Sequence, residues 1–276
     1  MTCTPPLFTT RFRVNRLRQL LLDAVFPEAH PLCLLCQRST ESTGWGRSHQ
    51  SVMPLTLCMF CWQDLNASSA SYAFESFTTR LSSAGHGHGE SSWMLPVLAA
   101  RPYDGKLQTA IRQWKYDGAI EFTAWFAQQM AVVYRRFQRD IEEGTASAAD
   151  WGRPELLVPV PPAPDRFRKR GYDHVGLLAV TLAPKLAMRA LPVLARPAET
   201  GPDAAFTQSQ TAKNVRQRRD GLKGAFRLRT NAPVMGRHIL LVDDIVTTGS
   251  TLEACALALK RGGAARVSAL VLAQVL

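Results

Sequence analysis

The sequence predicts an α/β fold: a mainly parallel sheet flanked by helices, with a small cysteine-based module ahead of it. Three observations carry this expectation. From Trp93 onward, short apolar runs alternate with stretches of helical periodicity, the signature of strand–helix–strand units. Two of those runs, residues 156–160 (LLVPV) and 239–242 (ILLV), are apolar at every position, as strands covered on both faces must be. Four of the six cysteines stand near the N-terminus as two Cys-x-x-Cys pairs, a spacing that suits a metal more than a disulfide.

Taken in chain order, residues 14–25 space Leu17, Leu20, Leu21 and Val25 on one helical face and arginines on the other, an amphipathic lead-in helix within residues 1–30. Residues 31–66 hold the cysteine module. Residues 67–92 are rich in Ser, Gly and His and read as an exposed connector, in which His86 and His88 are not expected to form a site. The α/β domain is expected over 93–276. Within it MLPVLAA is a strand and YDGKLQTAIRQWKY is helical. Residues 121–139 form a longer helix that stops near Gly144, and LLVPVP is a buried strand. Residues 173–189 are helical and PVLAR is a weak strand. HILLVDD is a strong strand, residues 250–261 a helix closed by Gly262 and Gly263, and VSALVLA the last strand.

Bulk properties narrow the function classes. The chain has 276 residues, 46% of them apolar, enough to bury a core, and no run nears the ~20 apolar residues that span a bilayer. The first 26 residues lack a long apolar segment followed by a small-residue cleavage site, so a cytoplasmic protein is expected. The net charge of +11 is clustered in three places. The first is residues 11–18; the second is Arg166, Arg168, Lys169 and Arg170; the third is a run from Lys213 to Arg229. Such clusters favour polyanions, namely nucleic acid, pyrophosphate or phosphorylated sugars; solvated helix faces fit the spacing equally well.

Cys33 and Cys36 are separated from Cys58 and Cys61 by 21 residues, positions 37 to 57. Each pair sets two sulfurs on one tight knuckle, and two facing knuckles supply four thiolates in a tetrahedron, the closed coordination of a structural Zn²⁺ ion. Such a site does no chemistry. It would fold a segment that has no core of its own.

The strongest chemical signal is residues 239–251, ILLVDDIVTTGST. A buried strand delivers Asp243 and Asp244 to the carboxyl edge of the sheet, where open α/β sheets bind ligands. Two adjacent carboxylates there can accept hydrogen bonds from a ribose cis-diol or help to position Mg²⁺. Thr247, Thr248, Gly249, Ser250 and Thr251 then turn into a helix. Gly249 lacks a Cβ, the backbone N–H groups form an anion cradle, and the hydroxyls of Ser250 and Thr251 add donors for a 5′-phosphate. This segment resembles the phosphoribosyl pyrophosphate motif of type I phosphoribosyltransferases at almost every position.

A second strand-then-loop unit, LLVPVP followed by RFRKRGYDH, would set Arg168, Lys169 and Arg170 to meet the pyrophosphate of a bound phosphoribosyl donor. Residues 206–226 are polar and basic and read either as a loop that closes over the site or as a surface excursion. In order, the double Cys-x-x-Cys, YDGKLQTAIRQWKYDG, VPVP with RKRGYDH, Gln210 through GAF, and VDDIVTTGST resemble the competence protein F family and its gluconate-uptake relatives. The family's RGFNQ-like element is here Arg170-Gly-Tyr-Asp-His174, and Gly221 stands where an asparagine is usual.

The resemblance implies a type I phosphoribosyltransferase-like domain behind a zinc ribbon. It also implies a role in DNA uptake during competence, with single-stranded DNA and DNA-translocation proteins as partners and phosphoribosyl pyrophosphate or a similar ribose phosphate as ligand. Phe167, Tyr172 and Trp62 lie among or near basic groups and could stack on bases. The alternative is an active phosphoribosyltransferase that transfers 5-phosphoribose to a base or amine, with Asp243 and Asp244 as its catalytic acids.

Overall fold

The computed structural model describes residues 32–39, 56–67, 73–81, 91–144, 151–196 and 225–275. The lead-in helix, His86 and His88, and residues 206–224 lie outside them. The chain divides into two compact units, Met1–Cys61 and Trp62–Leu276. In the first, the described residues are two short pieces that carry the cysteines, the second opening helix α1, Met59–Ala67.

The second unit is built on a six-stranded sheet of order β1-β2-β8-β7-β3-β4. Its strands are β1 (Ala73–Leu81), β2 (Ser91–Pro102), β3 (Leu156–Pro159), β4 (Arg189–Ala190), β7 (His238–Val246) and β8 (Arg266–Gln274). β1 runs antiparallel to β2 at one edge, and every other pairing is parallel. A separate antiparallel pair joins β5 (Leu194–Ala195) to β6 (Arg227–Leu228). The central strands β7 and β8 are almost wholly buried, which is why they read as continuous apolar runs rather than alternating ones.

Helices α2 (Gly105–Tyr116), α3 (Phe122–Glu142) and α5 (His174–Leu182) lie on one side, and α6 (Ser250–Arg261) packs on the other against β7 and β8. α2 buries Leu107, Ala110, Ile111 and Trp114, an i, i+3, i+4, i+7 stripe. The α6 side holds a core of Val97, Val158, Ile239, Leu241, Cys255, Leu259 and Val271. Among the described residues no helix is long and apolar enough to cross a membrane.

Two expectations are corrected. The connector expected over 67–92 contains β1, paired along its length with β2; the short AFESFTT alternation is flanked by Ser- and Gly-rich sequence that hid it. The RFRKR segment expected as a loop is a seven-residue helix, α4 (Pro164–Arg170), with proline at its start and Gly171 at φ 79° ending it. Proline at a first helical position and a left-handed glycine at the end are strong helix boundaries, and they outweigh the charge run between them.

Candidate ribose-phosphate site and cysteine cluster

The sheet opens where β7 outruns its neighbour. β3 pairs with β7 only as far as Pro159 opposite Val242, whereas β8 continues alongside to Gln274 opposite Val246. Asp243 and Asp244 therefore stand on a stretch of β7 whose β3 side is released, at the carboxyl end of the parallel strands. Here α/β sheets make their ligand crevices.

Because side chains alternate along a strand, the two carboxylates leave on opposite faces. Asp244 shares the face of Leu240 and Val242, toward α2 and α5. Asp243 shares the face of Ile239 and Leu241, toward α6, where Cys255 and Arg196 are its charged or polar neighbours. Asp244 is only 8% exposed, and its Oδ2 accepts from Lys115 Nζ at 2.8 Å and meets His174 Nε2 at 2.6 Å. Arg170 Nη1 lies 3.0 Å from His174 Nδ1. The same Nη1 is 3.2 Å from Nε2, but an ionised carboxylate can only accept, so Nε2–H donates to Asp244 and Nδ1 is left to face the guanidinium. Arg170, His174, Asp244 and Lys115 thus form one chain of charge-assisted contacts.

Each partner is locally fixed. His174 opens α5, whose N-cap Asp173 accepts from Gly176 N at 2.8 Å, and the imidazole packs edge-on to Trp114 at 5.0 Å. Trp114 is anchored by its Nε1 donating to Thr123 Oγ1 at 2.9 Å and by the Tyr172 hydroxyl donating to its carbonyl. Lys115 follows Trp114 directly in α2, so the burial of that indole sets the aim of the ammonium.

The two acids differ sharply in ionisation. Burial first, then the charge of Asp244, pushes Asp243 up from 3.8 to about 8. Burial acts on Asp244 in the same sense. There Lys115 and His174 together override it and hold the carboxyl well below the usual range. Asp244 is thus held ionised, and Asp243 is the more readily protonated of the two.

Beyond the acids, Gly249 sits at φ 73° and hands the chain to α6, with Thr248 Oγ1 2.9 Å from Ser250 Oγ and Glu253 N donating to Gly249 O. A left-handed residue at a helix start favours glycine on backbone grounds. Thr247 is exposed, and Thr248 and Thr251 are half-buried. Thr247, Thr248 and Gly249 make the turn, and Ser250 and Thr251 open α6.

Of the three basic residues assigned to pyrophosphate, Arg170 is the one joined to this cluster. Arg168 and Lys169 are exposed on α4. Tyr172 is buried, so it offers no face to a base, whereas Phe167 remains exposed. Sequence reasoning missed Lys115, His174 and Arg196. Arg196 spans the other flank, donating Nε to Pro161 O at 3.2 Å and stacking 4.4 Å over Phe226. The signal for Lys115 and His174 was their place in WKYDG and GYDH, inside the segments that carry the family resemblance.

In the first unit, the sulfurs of Cys33, Cys36, Cys58 and Cys61 lie within 4.8 Å of one another, with Cys36 and Cys58 at 3.6 Å. A tetrahedral ion bound to four thiolates at ~2.3 Å needs sulfurs roughly 3.8 Å apart, so the cluster fits a metal. Cys33 N donates to Arg38 O and Gln37 N to Cys33 O, closing the first knuckle, and Leu34 N donates to Thr56 O to tie it to the second. Burial and the crowding of neighbouring thiols raise Cys58 and Cys61, a penalty that a bound cation reverses.

The chain is similar to several known proteins. A family model described as "Phosphoribosyl transferase domain" matches residues 179–275. The DNA utilization protein YhgH of Salmonella typhi is 37% identical over 183 residues, covering 65% of this chain and 72% of the relative. The same-named protein of Escherichia coli (strain K12) is 37% identical over 123 residues; the match covers 45% of this chain and about half, 51%, of that relative. Competence protein F of Haemophilus influenzae is 31% identical over 175 residues, 63% of this chain and 70% of the relative. Among solved structures, an allosteric regulatory enzyme of purine biosynthesis aligns over 58% of this chain and 29% of that one, with 13% identity and a TM-score of 0.34. With its parallel sheet, phosphoribosyltransferase-type domain and clustered cysteines in the expected order, the chain belongs to the competence protein F family.

Proposed function

We propose that this protein is a cytoplasmic accessory to DNA uptake that handles single-stranded DNA and binds a ribose phosphate, of the phosphoribosyl pyrophosphate type, at the β7–α6 turn. The observation that carries the reading is the release of Asp243 and Asp244 from the β3 side of the sheet just before a glycine turn into a helix N-terminus. Carboxylates accept the ribose hydroxyls, and the N–H groups at the start of α6, with Ser250 and Thr251, take the 5′-phosphate. Arg170, with Arg168 and Lys169 beyond it, supplies positive charge for pyrophosphate or for a nucleic-acid backbone. When bound with the sugar phosphate, Mg²⁺ would neutralise phosphate charge beside the acids. We assign Zn²⁺ to the cysteine cluster as a structural ion.

The DNA part is tested by fluorescence anisotropy of a labelled single strand across a salt series. Affinity is expected to fall steeply and linearly in logarithmic salt, and Arg168→Ala should flatten the slope by about one unit. Salt-insensitive or absent binding contradicts it.

A second reading, transfer of 5-phosphoribose to a base or amine with release of pyrophosphate and a proton, is favoured by the split ionisation of the two acids. A carboxylate held ionised next in sequence to one whose burial favours its protonated form is a pairing of the kind proton-transfer sites use. Pyrophosphate release with an acceptor panel, abolished by Asp244→Asn, supports it; no release across the panel counts against it.

A further inference from the structure

Tyr116 ends α2 one residue after Lys115, and the two side chains part company: the ammonium turns in to Asp244, while Tyr116 is 60% exposed. The ring is not loose. The Arg170 guanidinium lies 4.7 Å above its centroid, and the same guanidinium contacts His174, which holds Asp244. Arg170 also keeps a buried Nε without an acceptor among the described residues, an unmet donor that a folded protein retains at a cost. An aromatic ring pinned on one side by a cation and left largely in solvent is pre-ordered for stacking, so a flat ligand need not first order it.

The surroundings are cationic and carry a second exposed aromatic. Arg112 is exposed one turn before Tyr116 on α2, and α4 exposes Arg166, Arg168 and Lys169 together with Phe167, itself 41% exposed. Asp117, Glu121 and Asp165 oppose them, leaving the positive groups in excess. A bare phosphorylated sugar has no flat group to lay on Tyr116. A duplex keeps its base faces covered by their neighbours, whereas a single strand can splay one out.

We infer that Tyr116, backed by Arg170, is a base-stacking platform for single-stranded DNA, with the strand's phosphates on Arg112 and the α4 cations. This rests on the single-strand part of the proposed function and adds the contact that distinguishes bases from backbone.

The test uses the full-length metal-loaded protein and two labelled probes of equal length, oligothymidylate and an abasic strand of the same backbone. Tyr116→Ala should weaken oligothymidylate binding by about tenfold and leave the abasic strand unchanged. Tyr116→Trp should restore binding, with its indole fluorescence quenched on adding oligothymidylate. If wild type binds and Tyr116→Ala binds oligothymidylate equally well, or loses both probes alike, the platform is wrong while the DNA reading stands. If wild type binds neither probe, both fall together.

Discussion

Asp244 draws its ionised state from three side chains on three elements: Lys115 of α2, His174 of α5 and, through His174, Arg170 of α4. Removing one partner from a buried ion pair strands the other charge, so Lys115→Met should cost about 2 kcal/mol in urea unfolding, His174 still sharing the load. It should also raise the titration midpoint of Asp244 as followed by carboxyl NMR; an unmoved midpoint contradicts the assignment. At the opposite end of β7, His238 donates to or accepts from Ser268 at 2.8 Å. Burial first, then Arg266, pushes it down from 6.5 to about 4. Between those values the unfolded chain takes up a proton that the folded protein refuses. His238 thus contributes stability that is present above pH 6.5 and is lost on acidification to pH 4, on the order of 3 kcal/mol. Asp243, raised instead, contributes stability that is present below pH 3.8 and is lost as pH rises through about 8. The two trends oppose each other in the shared window, so the check is the difference in unfolding free energy between wild type and His238→Asn from pH 4 to 7. That difference should grow with pH; a flat difference contradicts the account. The residues that carry these effects were the least legible, because nothing local in WKYDG or GRHIL says which distant group a side chain will meet.

Caps and turns decide whether α5 and α6 deliver their groups correctly. A Cβ on Gly176 would lie 2.5 Å from Oδ2 of Asp173, the residue whose Oδ1 caps α5. Gly176→Ala should therefore displace the cap and cost about 1 kcal/mol by thermal unfolding. Gly171, at φ 79° with open space around it, should cost a similar ~1 kcal/mol on conversion to alanine through backbone strain alone. Elements of this kind were legible where periodicity and boundaries agreed: α2, α3, α6, β3, β7 and β8 stand close to where the sequence puts them. α4 was hidden because a seven-residue helix with no buried residue has no apolar stripe to read. β1 was hidden because its alternation is brief and set in loop-like composition.

For the molecule as a whole, the fold class was legible because strands alternating with helices imply a mainly parallel sheet, whereas the order β1-β2-β8-β7-β3-β4 rests on long-range pairings that no local pattern encodes. The two Cys-x-x-Cys pairs likewise announced a four-sulfur cluster, which the geometry of Cys33, Cys36, Cys58 and Cys61 meets. Metal analysis should return one Zn²⁺ per chain, and chelation should expose residues 32–67 to protease, as expected where binding and folding are linked. A full complement of reactive thiols without metal loss would contradict the assignment. The ribose-phosphate site is tested by calorimetric titration of phosphoribosyl pyrophosphate with Mg²⁺ into wild type and into the Asp243→Asn/Asp244→Asn variant, its fold checked by circular dichroism. Binding near micromolar, about 8 kcal/mol, is expected in wild type and is expected to be lost in the folded variant; no heat in wild type, or equal heat in both, would rule the site out.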